Sequence, residues 1–419
     1  MNNYKKLVQN LVATAVLGSS TAAFATGFRL PDQDAFATGR GEAFVATADN
    51  PSAIYYNPAG ITQLEGQNLR GGIYGIYLDP SYQRNGSSST YHNQNKLAAV
   101  PNLFYTYNKK DSILSGGIGL YSPYGLSLRW PQKTGFRTVG EQGAMTYITL
   151  NPVLALKLSD RLSIGGGLTI NYARLDLRQG LFWPDQNNDG FKFTGSGWDV
   201  GFNLGGLWKV SDYVSIGASF HSSSAINFKG HTADHNSVAV PGVAPTFRER
   251  SAANATLPTP LNAAFGISFR PTPHWNFEFD ADYNGWYNLT TVVIHQQQPS
   301  IVLPQNIPVT FNWQPSWYYE FGGTRYFDNG WHVSAGYIFN QNAMPNAHYS
   351  PVVADEDRHF FSAGVGHKGQ ALNFDVAYQF GYGPSRKVSG SGVSPAGQTA
   401  DGTYGFTSHA IIASVGLNF

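Results

Sequence analysis

The sequence has no cysteine, few charged side chains and no long apolar run. Of its 419 residues 13% are charged, and 27 basic residues stand against 26 acidic ones, so the formal net charge is +1. The absence of cysteine excludes disulfide frameworks, thiolate metal sites and cysteine nucleophiles. The balanced charge argues against a nucleic-acid-binding protein, which normally carries a basic excess. No stretch approaches the length of apolar sequence that a transmembrane helix needs, so none is expected.

Glycine and aromatic residues are abundant where charge is scarce. The chain contains 47 glycines, and aromatic residues make up 14% of it. A hydrophobic content of 42% can bury a core, so the composition does not indicate a disordered chain. Together these values indicate a β-rich protein whose outer surface carries little charge.

The first residues have the three-part pattern of a secretory signal. Lys5 and Lys6 precede the apolar stretch Leu11–Leu17, and Ala23–Ala25 has the small-x-small form of a cleavage site. The apolar stretch is too short to span a bilayer. We therefore predict that residues 1–25 are a signal peptide and that the protein is exported.

Many stretches alternate apolar residues with small or polar ones, which is the period of a β-strand. The range Leu162–Ala173 is one example, with its large apolar side chains on a single face. A soluble β-sandwich also alternates, but its dry core could not hold carboxylates such as Glu278, Asp280 and Asp282 on the inward face. A lumen that contains water can hold them, and arginines such as Arg40 are candidate partners there. The strands are about ten residues long, which suits a tilted bilayer crossing.

Short and long connections alternate strictly along the chain. Six short turns and seven long loops, among them residues 178–197 and 222–260, imply fourteen strands. We therefore predict an all-β fold, a 14-stranded antiparallel transmembrane β-barrel over residues 68–419, in the bacterial outer membrane with both termini periplasmic. The terminal Phe419 resembles the signal that the barrel-insertion machinery reads, so this machinery and outer-membrane lipid are expected partners.

The segment before the first strand does not alternate, yet it is rich in apolar residues. It covers residues 26–67 and includes Phe28, Phe36, Phe44 and Ile54. A barrel of about fourteen strands has a lumen too wide for side chains alone to fill. The segment is therefore predicted to be an N-terminal plug, or hatch, inside the barrel.

Four short motifs resemble the FadL family of outer-membrane transporters for long-chain fatty acids and hydrocarbons, which includes toluene and xylene uptake channels. They are Gly27-Phe28-Arg29-Leu30, Asn57-Pro58-Ala59-Gly60, Tyr121-Ser122-Pro123-Tyr124-Gly125-Leu126 and Asp355-Glu356-Asp357-Arg358. The resemblance covers the signal, the plug, the barrel and the C-terminus. It implies passive, ligand-gated uptake of hydrophobic molecules without a cofactor.

The resemblance also implies roles for individual residues. Pro123, Tyr124 and Gly125 would kink the third strand and open a lateral gap in the wall, because proline and glycine interrupt a strand ladder. Asn57, Pro58 and Ala59 would lie against that gap as the moving element. The plug and gate residues are therefore expected to be Phe28, Asn57, Pro58 and Ala59, and the structural polar residues Asp355, Asp357 and Arg358.

The candidate ligand-binding residues follow from the strand that ends near Arg178. Beyond Ala173 its outward face becomes polar, whereas Leu175 and Leu177 face inward. Apolar side chains inside a barrel suit a hydrophobic ligand site, although contact with the plug or with a folded-in loop would explain them equally well. The remaining candidates are the loop residues Phe182 and Trp183 for external docking, with Gln314 and Trp317. Because Gln314 and the neighbouring Pro315 stand where fatty-acid transporters can have a Lys-Asp pair, uncharged hydrocarbons stay open as ligands.

A few sequence features suggest functions other than transport. The run Asp185–Gly190 imitates the start of a calcium loop but lacks the final glutamate, so no metal site is predicted. The range His221–Ser224 is a local candidate for a barrel-type enzyme, but it has no neighbouring acid. A general diffusion porin and a structural envelope protein remain alternatives. We expect a monomer that is not an enzyme.

Overall fold

The computed structural model describes residues 27–183, 185–239 and 245–419. The predicted signal peptide lies outside these residues. The strands belong to one antiparallel sheet. Their bounds are β1 Gly66–Leu78, β2 Ser81–Arg84, β3 Thr90–His92, β4 Leu97–Asn108, β5 Leu114–Tyr121, β6 Gly125–Arg129, β7 Gln142–Lys157, β8 Leu162–Gln179, β9 Asp189–Lys209, β10 Val214–His221, β11 Ser224–Asn236, β12 Phe247–Thr259, β13 Asn262–Thr272, β14 Trp275–Asn284, β15 Thr291–Gln296, β16 Asn306–Thr310, β17 Ser316–Tyr326, β18 Trp331–Asn340, β19 Arg358–Lys368, β20 Leu372–Val388 and β21 Gly402–Asn418.

The sheet closes into a barrel of fourteen strands, as predicted. β1 pairs with β4 on one side and with β21 on the other, so the first and last strands meet. Five wall strands consist of two segments each, namely β5 with β6, β10 with β11, β12 with β13, β14 with β15 and β16 with β17. β2 and β3 form a hairpin within the first long loop. Closure removes the free sheet edges that lipid would not tolerate.

The two faces of the wall differ as the alternation predicts. On the outside, Leu168, Trp198 and Val200 are 56%, 69% and 60% exposed. On the inside, Asn203 and Asp280 are fully buried. Aromatic side chains form an outward-facing girdle near each end of the wall. The girdle near the turns includes Trp275, Phe277, Trp331 and Phe374, and the girdle near the long loops includes Tyr172, Trp198, Tyr283 and Trp317.

All six short turns lie where they were predicted, but four long loops are shorter than expected, because strands extend into the predicted loops 178–197, 222–260, 285–315 and 383–407. β8 continues to Gln179 and β9 begins at Asp189, inside the predicted loop 178–197. The predicted loop 222–260 is a strand hairpin of β11 and β12. Alternation did not reveal these extensions, because the outward face turns polar beyond the membrane while the inward face becomes apolar.

The N-terminal segment, defined here as residues 27–65, contacts inward-facing residues of the wall. It contains α1 (Ala35–Gly39), α2 (Ala53–Tyr56) and the 3-10 helix Pro58–Gln63, and most of its residues are buried. Asp34 caps α1 by accepting the Phe36 amide at 3.0 Å. Further 3-10 turns are Gln132–Thr134, Trp286–Asn288 and Asn346–His348. No helix in the described ranges is both long and apolar enough to cross a lipid bilayer.

Candidate functional site

Buried ion pairs attach the N-terminal segment to the wall. The Arg29 guanidinium lies 2.7 Å from the Asp282 carboxylate, and that of Arg40 lies 3.3 Å from Glu278. The predicted partnership between inward carboxylates and arginines of this segment is therefore present. A third pair has the opposite polarity, because Arg70 of β1 binds Asp34 of the segment.

Asn57, Pro58 and Ala59 do not lie where they were expected. The Asn57 side-chain amide donates to the carbonyls of Val45 and Gly206, at 2.8 and 2.9 Å. This holds the motif against β8 and β9, where glycines allow the close approach. The expectation that it lies against the strand interruption was wrong, because its hydrogen bonds and close contacts are with Val45, β8 and β9.

The third wall strand is interrupted at Ser122–Tyr124, between β5 and β6. The second half of β4, Leu103–Asn108, pairs with β5. Within the described ranges, its first half, Leu97–Asn102, pairs only with β1, and β6 pairs only with β7. Over the described residues, the ladder between β4 and β6 is therefore missing. Pro123 accounts for the break, because proline has no backbone N–H to donate to a neighbouring strand.

Residues 28–30 of the N-terminal segment pair with the backbone at this interruption. Arg29 and Tyr124 form an antiparallel bridge. The Gly125 amide donates to the Phe28 carbonyl, and the Leu30 amide donates to the Pro123 carbonyl, both at 2.8 Å. The kinked residues Pro123, Tyr124 and Gly125 thus bind the beginning of the N-terminal segment, rather than the Asn57 motif.

An apolar cavity of about 310 Å³ lies between this segment and the long loops. Its lining includes Phe28 together with Leu175 and Leu177, the two leucines expected to face inward. Leu126, Met145, Phe191, Leu257, Ile294, Val309 and Phe311 also line it. Arg178 contributes to the rim, and its guanidinium pairs with Asp176 at 2.9 Å. A space of this composition suits an uncharged or weakly polar molecule.

Phe28 packs in an aromatic cluster at the edge of the cavity. Its ring centroid lies 4.9 Å from Trp286, 5.9 Å from Trp313 and 5.8 Å from Tyr124. Gly27 has a φ of +67°, and a Cβ there would collide with both indoles. Trp286 was not predicted to belong to the site, and the one signal for it in the sequence is a tryptophan within a predicted long loop.

The loop of residues 341–357, which we call the cover loop, forms another wall of the cavity. Arg386 holds it by donating to the carbonyls of Asp355 (2.7 Å) and Met344 (2.5 Å), and to the side-chain oxygens of Asn342 and Asn346. No sequence motif indicated this role for Arg386, because its acceptors lie about forty residues away.

The predicted structural polar residues belong to the cover loop and its exit. Asp355 accepts the Ala343 amide at 2.8 Å and also the Gly27 amide, which joins the loop to the N-terminal segment. Asp357 accepts from Asn342 at 2.8 Å. The Arg358 guanidinium lies 3.7 Å from the Phe406 ring centroid.

Two neighbouring acids of the cover loop are fully buried. Burial raises the pKa of Glu356 to about 7, against the opposing charge of Arg358, from which its carboxylate lies 3.2 Å. Burial also raises the pKa of Asp355. Both carboxyls are therefore nearer to neutrality than exposed ones would be.

The loop after β8 holds Phe182 and Trp183 away from the cavity lining. Both Leu181 and Phe182 amides donate to Asp189, and the Trp183 indole donates to Asn236 at 3.1 Å. Asp189 also pairs with Arg137 at 2.8 Å, so this aspartate of the run that imitates a calcium loop already has a cationic partner. In the described ranges no group of three or more acidic or histidine side chains could hold a metal ion.

Gln314 and Trp317 are not brought to the cavity. Trp317 is 37% exposed on the outer face and packs on Tyr283 with centroids 5.1 Å apart. The exposed Gln314 amide donates to the Asn312 carbonyl at 3.2 Å. The alternation within β17 directs the Trp317 side chain outwards, into the aromatic girdle near the long loops.

A family model described as outer membrane protein transport protein (OMPP1/FadL/TodX) matches residues 16–419. The chain belongs to this family. The resemblance inferred from the four motifs is thereby confirmed. The protein is thus an outer-membrane transport protein of the FadL family, and its relatives are transporters rather than enzymes.

Similar proteins match over nearly their whole length. A long-chain fatty acid transport protein of Salmonella typhi is 23% identical over 451 residues, covering 100% of this chain and 99% of the relative. Outer membrane protein P1 of Haemophilus influenzae is 23% identical, covering 99% of each chain. The crystal structure of a Pseudomonas aeruginosa FadL homologue superposes with a TM-score of 0.82 at 19% identity, covering 94% of this chain and 100% of the other. The Pseudomonas putida toluene transporter TodX gives a TM-score of 0.74 at 14% identity, covering 94% and 100%.

Proposed function

We propose that this FadL-family protein carries out passive, ligand-gated uptake of hydrophobic molecules, either long-chain fatty acids or hydrocarbons. The observation that carries the proposal is the position of Phe28. Its side chain borders the apolar cavity, while its carbonyl accepts the Gly125 amide at the strand interruption. Phe28 therefore lies between a ligand-sized cavity and the interruption of the third wall strand.

The N-terminal segment acts as the plug in this proposal. A ligand docks at the long loops, including Phe182 and Trp183, and enters the cavity beside Leu175 and Leu177. Occupation displaces Phe28 and the residues that follow it, and Asn57, Pro58 and Ala59 keep the rest of the plug against β8 and β9. Only the first few residues of the segment need to move, because residues 28–30 pair with the interruption, while the ion pairs of Arg40 and of Asp34 hold later parts of the segment.

Release is lateral, through the opening beside Pro123, Tyr124 and Gly125. An apolar solute that leaves sideways enters lipid and avoids water, which is the favourable direction for apolar surface. The long loops face outwards and both termini face the periplasm in this arrangement. Asp355, Asp357 and Arg358 support the cover loop rather than the ligand, and Gln314 and Trp317 are not part of the path.

The ligand class is proposed from the relatives and the lining together. Curated relatives carry the name of long-chain fatty acid transport protein, and solved structures with this fold include toluene transporters. Arg178 is the cation at the rim, and Asp176 already binds it. Alkyl chains and uncharged hydrocarbons therefore suit the inner part of the cavity better than a free carboxylate.

Uptake by cells with and without the gene tests the proposal, with an alkane, an aromatic hydrocarbon and a fatty acid as solutes. We expect gene-dependent uptake of at least one of them and no comparable change for a small sugar. Leu175→Asn should lower that uptake, because an amide would lie unpaired in an apolar cavity. The matched control is Leu158→Asn in an exposed turn. Equal gene-dependent flux of sugar and hydrocarbon would instead indicate a general diffusion porin.

A further inference from the structure

The outer face of four strands carries a concentrated positive charge just beyond the aromatic girdle at the long-loop end. The strands are β8, β9, β11 and β12, which are consecutive neighbours in the sheet. We call this surface the basic face. Its basic residues are Arg174, Arg178, Lys192, Lys229, Arg248 and Arg250, with His231 and His235 between them.

The strand register places these side chains together. Arg178 pairs in register with Lys192, Lys192 with Ala233, and Ala233 with Arg250. A second row runs from Arg174 through Ser196 to Lys229. Neighbouring strands lie about 4.8 Å apart, so each row brings its cations within roughly 10–15 Å of one another.

Alternation shows that these residues face outwards. The inward-facing positions Leu175, Phe193, Phe228 and Ala255 on the same strands are at most 6% exposed, and the basic residues lie at the alternate positions. Arg174, Lys229, Arg248 and Arg250 are exposed.

The charge of the basic face is poorly compensated. Asp176 is its single acid in the register, and it binds both Arg178 and Lys192 at 2.9 Å. In the described part of the chain, Arg174, Lys229, Arg248 and Arg250 form no ion pair. Six basic side chains against one acid contrast with a net charge of +1 for the whole chain.

The girdle fixes the position of this surface relative to the membrane. Tyr172 and Trp198 are register partners, with ring centroids 4.8 Å apart, and Arg174 follows two residues beyond Tyr172. Tyr and Trp at such positions lie at the level of lipid headgroups. The basic face therefore begins at headgroup height, and it continues above the membrane.

We propose that the basic face binds the phosphorylated headgroup of an anionic glycolipid in the outer leaflet. Arginine and lysine side chains at headgroup height attract anionic lipid, and arginine forms paired hydrogen bonds with phosphate. Basic side chains spread over four strands suit a broad headgroup that carries several phosphates. The inference relies on the proposed orientation, with the long loops outside, but not on transport.

Binding of purified mature protein to defined lipids tests the proposal. The probes are a bisphosphorylated glucosamine-disaccharide lipid, the same lipid without phosphates, phosphatidylcholine and inorganic phosphate, each followed by native mass spectrometry and by the thermal unfolding midpoint. The test variant is Lys229→Gln/Arg248→Gln/Arg250→Gln. The control is Lys109→Gln/Lys110→Gln/Arg161→Gln, which removes three exposed cations from short turns.

We expect the phosphorylated lipid to bind the wild type at least about tenfold more tightly than its dephosphorylated form. The test variant should lose about tenfold or more of this affinity, and the control should lose little. Lipid-free unfolding midpoints establish that both variants fold. Equal binding of the two glycolipids, equal loss of affinity in both variants, or the same stabilisation by inorganic phosphate would each overturn the proposal.

Discussion

The Arg29 guanidinium lies 2.7 Å from the Asp282 carboxylate, and both side chains are almost completely buried. Asn284 and Asn262 accept further hydrogen bonds from the same guanidinium, at 2.9 and 3.2 Å. Arg29 directly follows Phe28, and its backbone pairs with Tyr124. The ion pair therefore holds the short stretch that borders the cavity and fills the strand interruption.

Asp282→Asn should loosen this stretch. Removing one partner of a buried ion pair leaves an uncompensated charge and costs about 3–5 kcal/mol. We expect faster amide hydrogen exchange at residues 28–30, measured by mass spectrometry. The control is Asp160→Asn, because Asp160 is 95% exposed in its pair with Lys157 and such pairs contribute about 0–1 kcal/mol. Unchanged exchange in Asp282→Asn would contradict a holding role for the pair.

Arg386→Gln should release the cover loop from its anchor. The guanidinium makes four hydrogen bonds to that loop, and bonds to charged groups each contribute about 1.5–3 kcal/mol. We expect protease cleavage within residues 341–357 and weaker binding of an apolar fluorophore. Lys387→Gln, at the exposed neighbouring position, is the control. A protease-resistant loop in Arg386→Gln would show that other contacts suffice.

A disulfide between positions 29 and 124 should stop uptake reversibly. These residues form a bridge pair, whose Cα separation of about 4.5–5.5 Å suits a disulfide, and the native chain has no cysteine to interfere. We expect Arg29→Cys/Tyr124→Cys to take up hydrocarbon when reduced and not when oxidised. Because the oxidised and reduced states share the same substitutions, the comparison isolates the crosslink. Equal uptake in both states would exclude movement at this bridge.

The stability of the N-terminal segment should fall as the pH rises through about 6. Burial raises the pKa of Asp32 to about 6 from 3.8, despite a 2.9 Å hydrogen bond from Gln379. Glu42 and Tyr74 are its other titratable neighbours. A raised carboxyl pKa means that the native state binds more protons, so the stabilisation is complete below about pH 4 and is lost above pH 6. The pKa shift of about two units corresponds to a loss of about 3 kcal/mol in the free energy of unfolding over this pH range.

Asp32→Asn provides the check on this pH dependence. It keeps a neutral, hydrogen-bonding side chain at every pH, so it should flatten the profile between pH 4 and 7 and stabilise the segment at pH 8. Limited proteolysis across this range measures the effect, with the exposed Asp328→Asn as control. If the protease resistance of the wild-type segment rose with pH, the raised pKa of Asp32 would not explain its stability.

The wall was predictable because its signals are local. The alternation in Leu162–Ala173 and the carboxylates at Glu278–Asp282 place each residue on one side of a sheet, and short turns between such stretches leave little freedom for pairing. Strand ends were less predictable. In β8, β9, β11 and β12 the polarity of each face changes beyond the membrane, so the same alternation no longer indicates a membrane strand.

The ligand cavity was only partly predictable. Leu175 and Leu177 were found because their inward direction follows from the parity of one strand. Phe28 and Trp286 meet at its edge although they lie more than two hundred positions apart, and Arg386 holds the cover loop from about forty residues away, and no local period encodes either contact.

By itself, the sequence determined that the chain is a closed wall with an apolar outside and a polar inside, since a strand's faces follow from every second residue. Only the tertiary structure decided which part of the N-terminal segment meets the interrupted strand. Asn57 was expected there, but hydrogen bonds to Val45 and Gly206 hold it against β8 and β9, and the amides and carbonyls of residues 28–30 pair with the interruption instead. Those partners depend on how the folded segment packs against inward-facing residues of the wall, because buried backbone groups must find hydrogen-bond partners wherever the wall offers them.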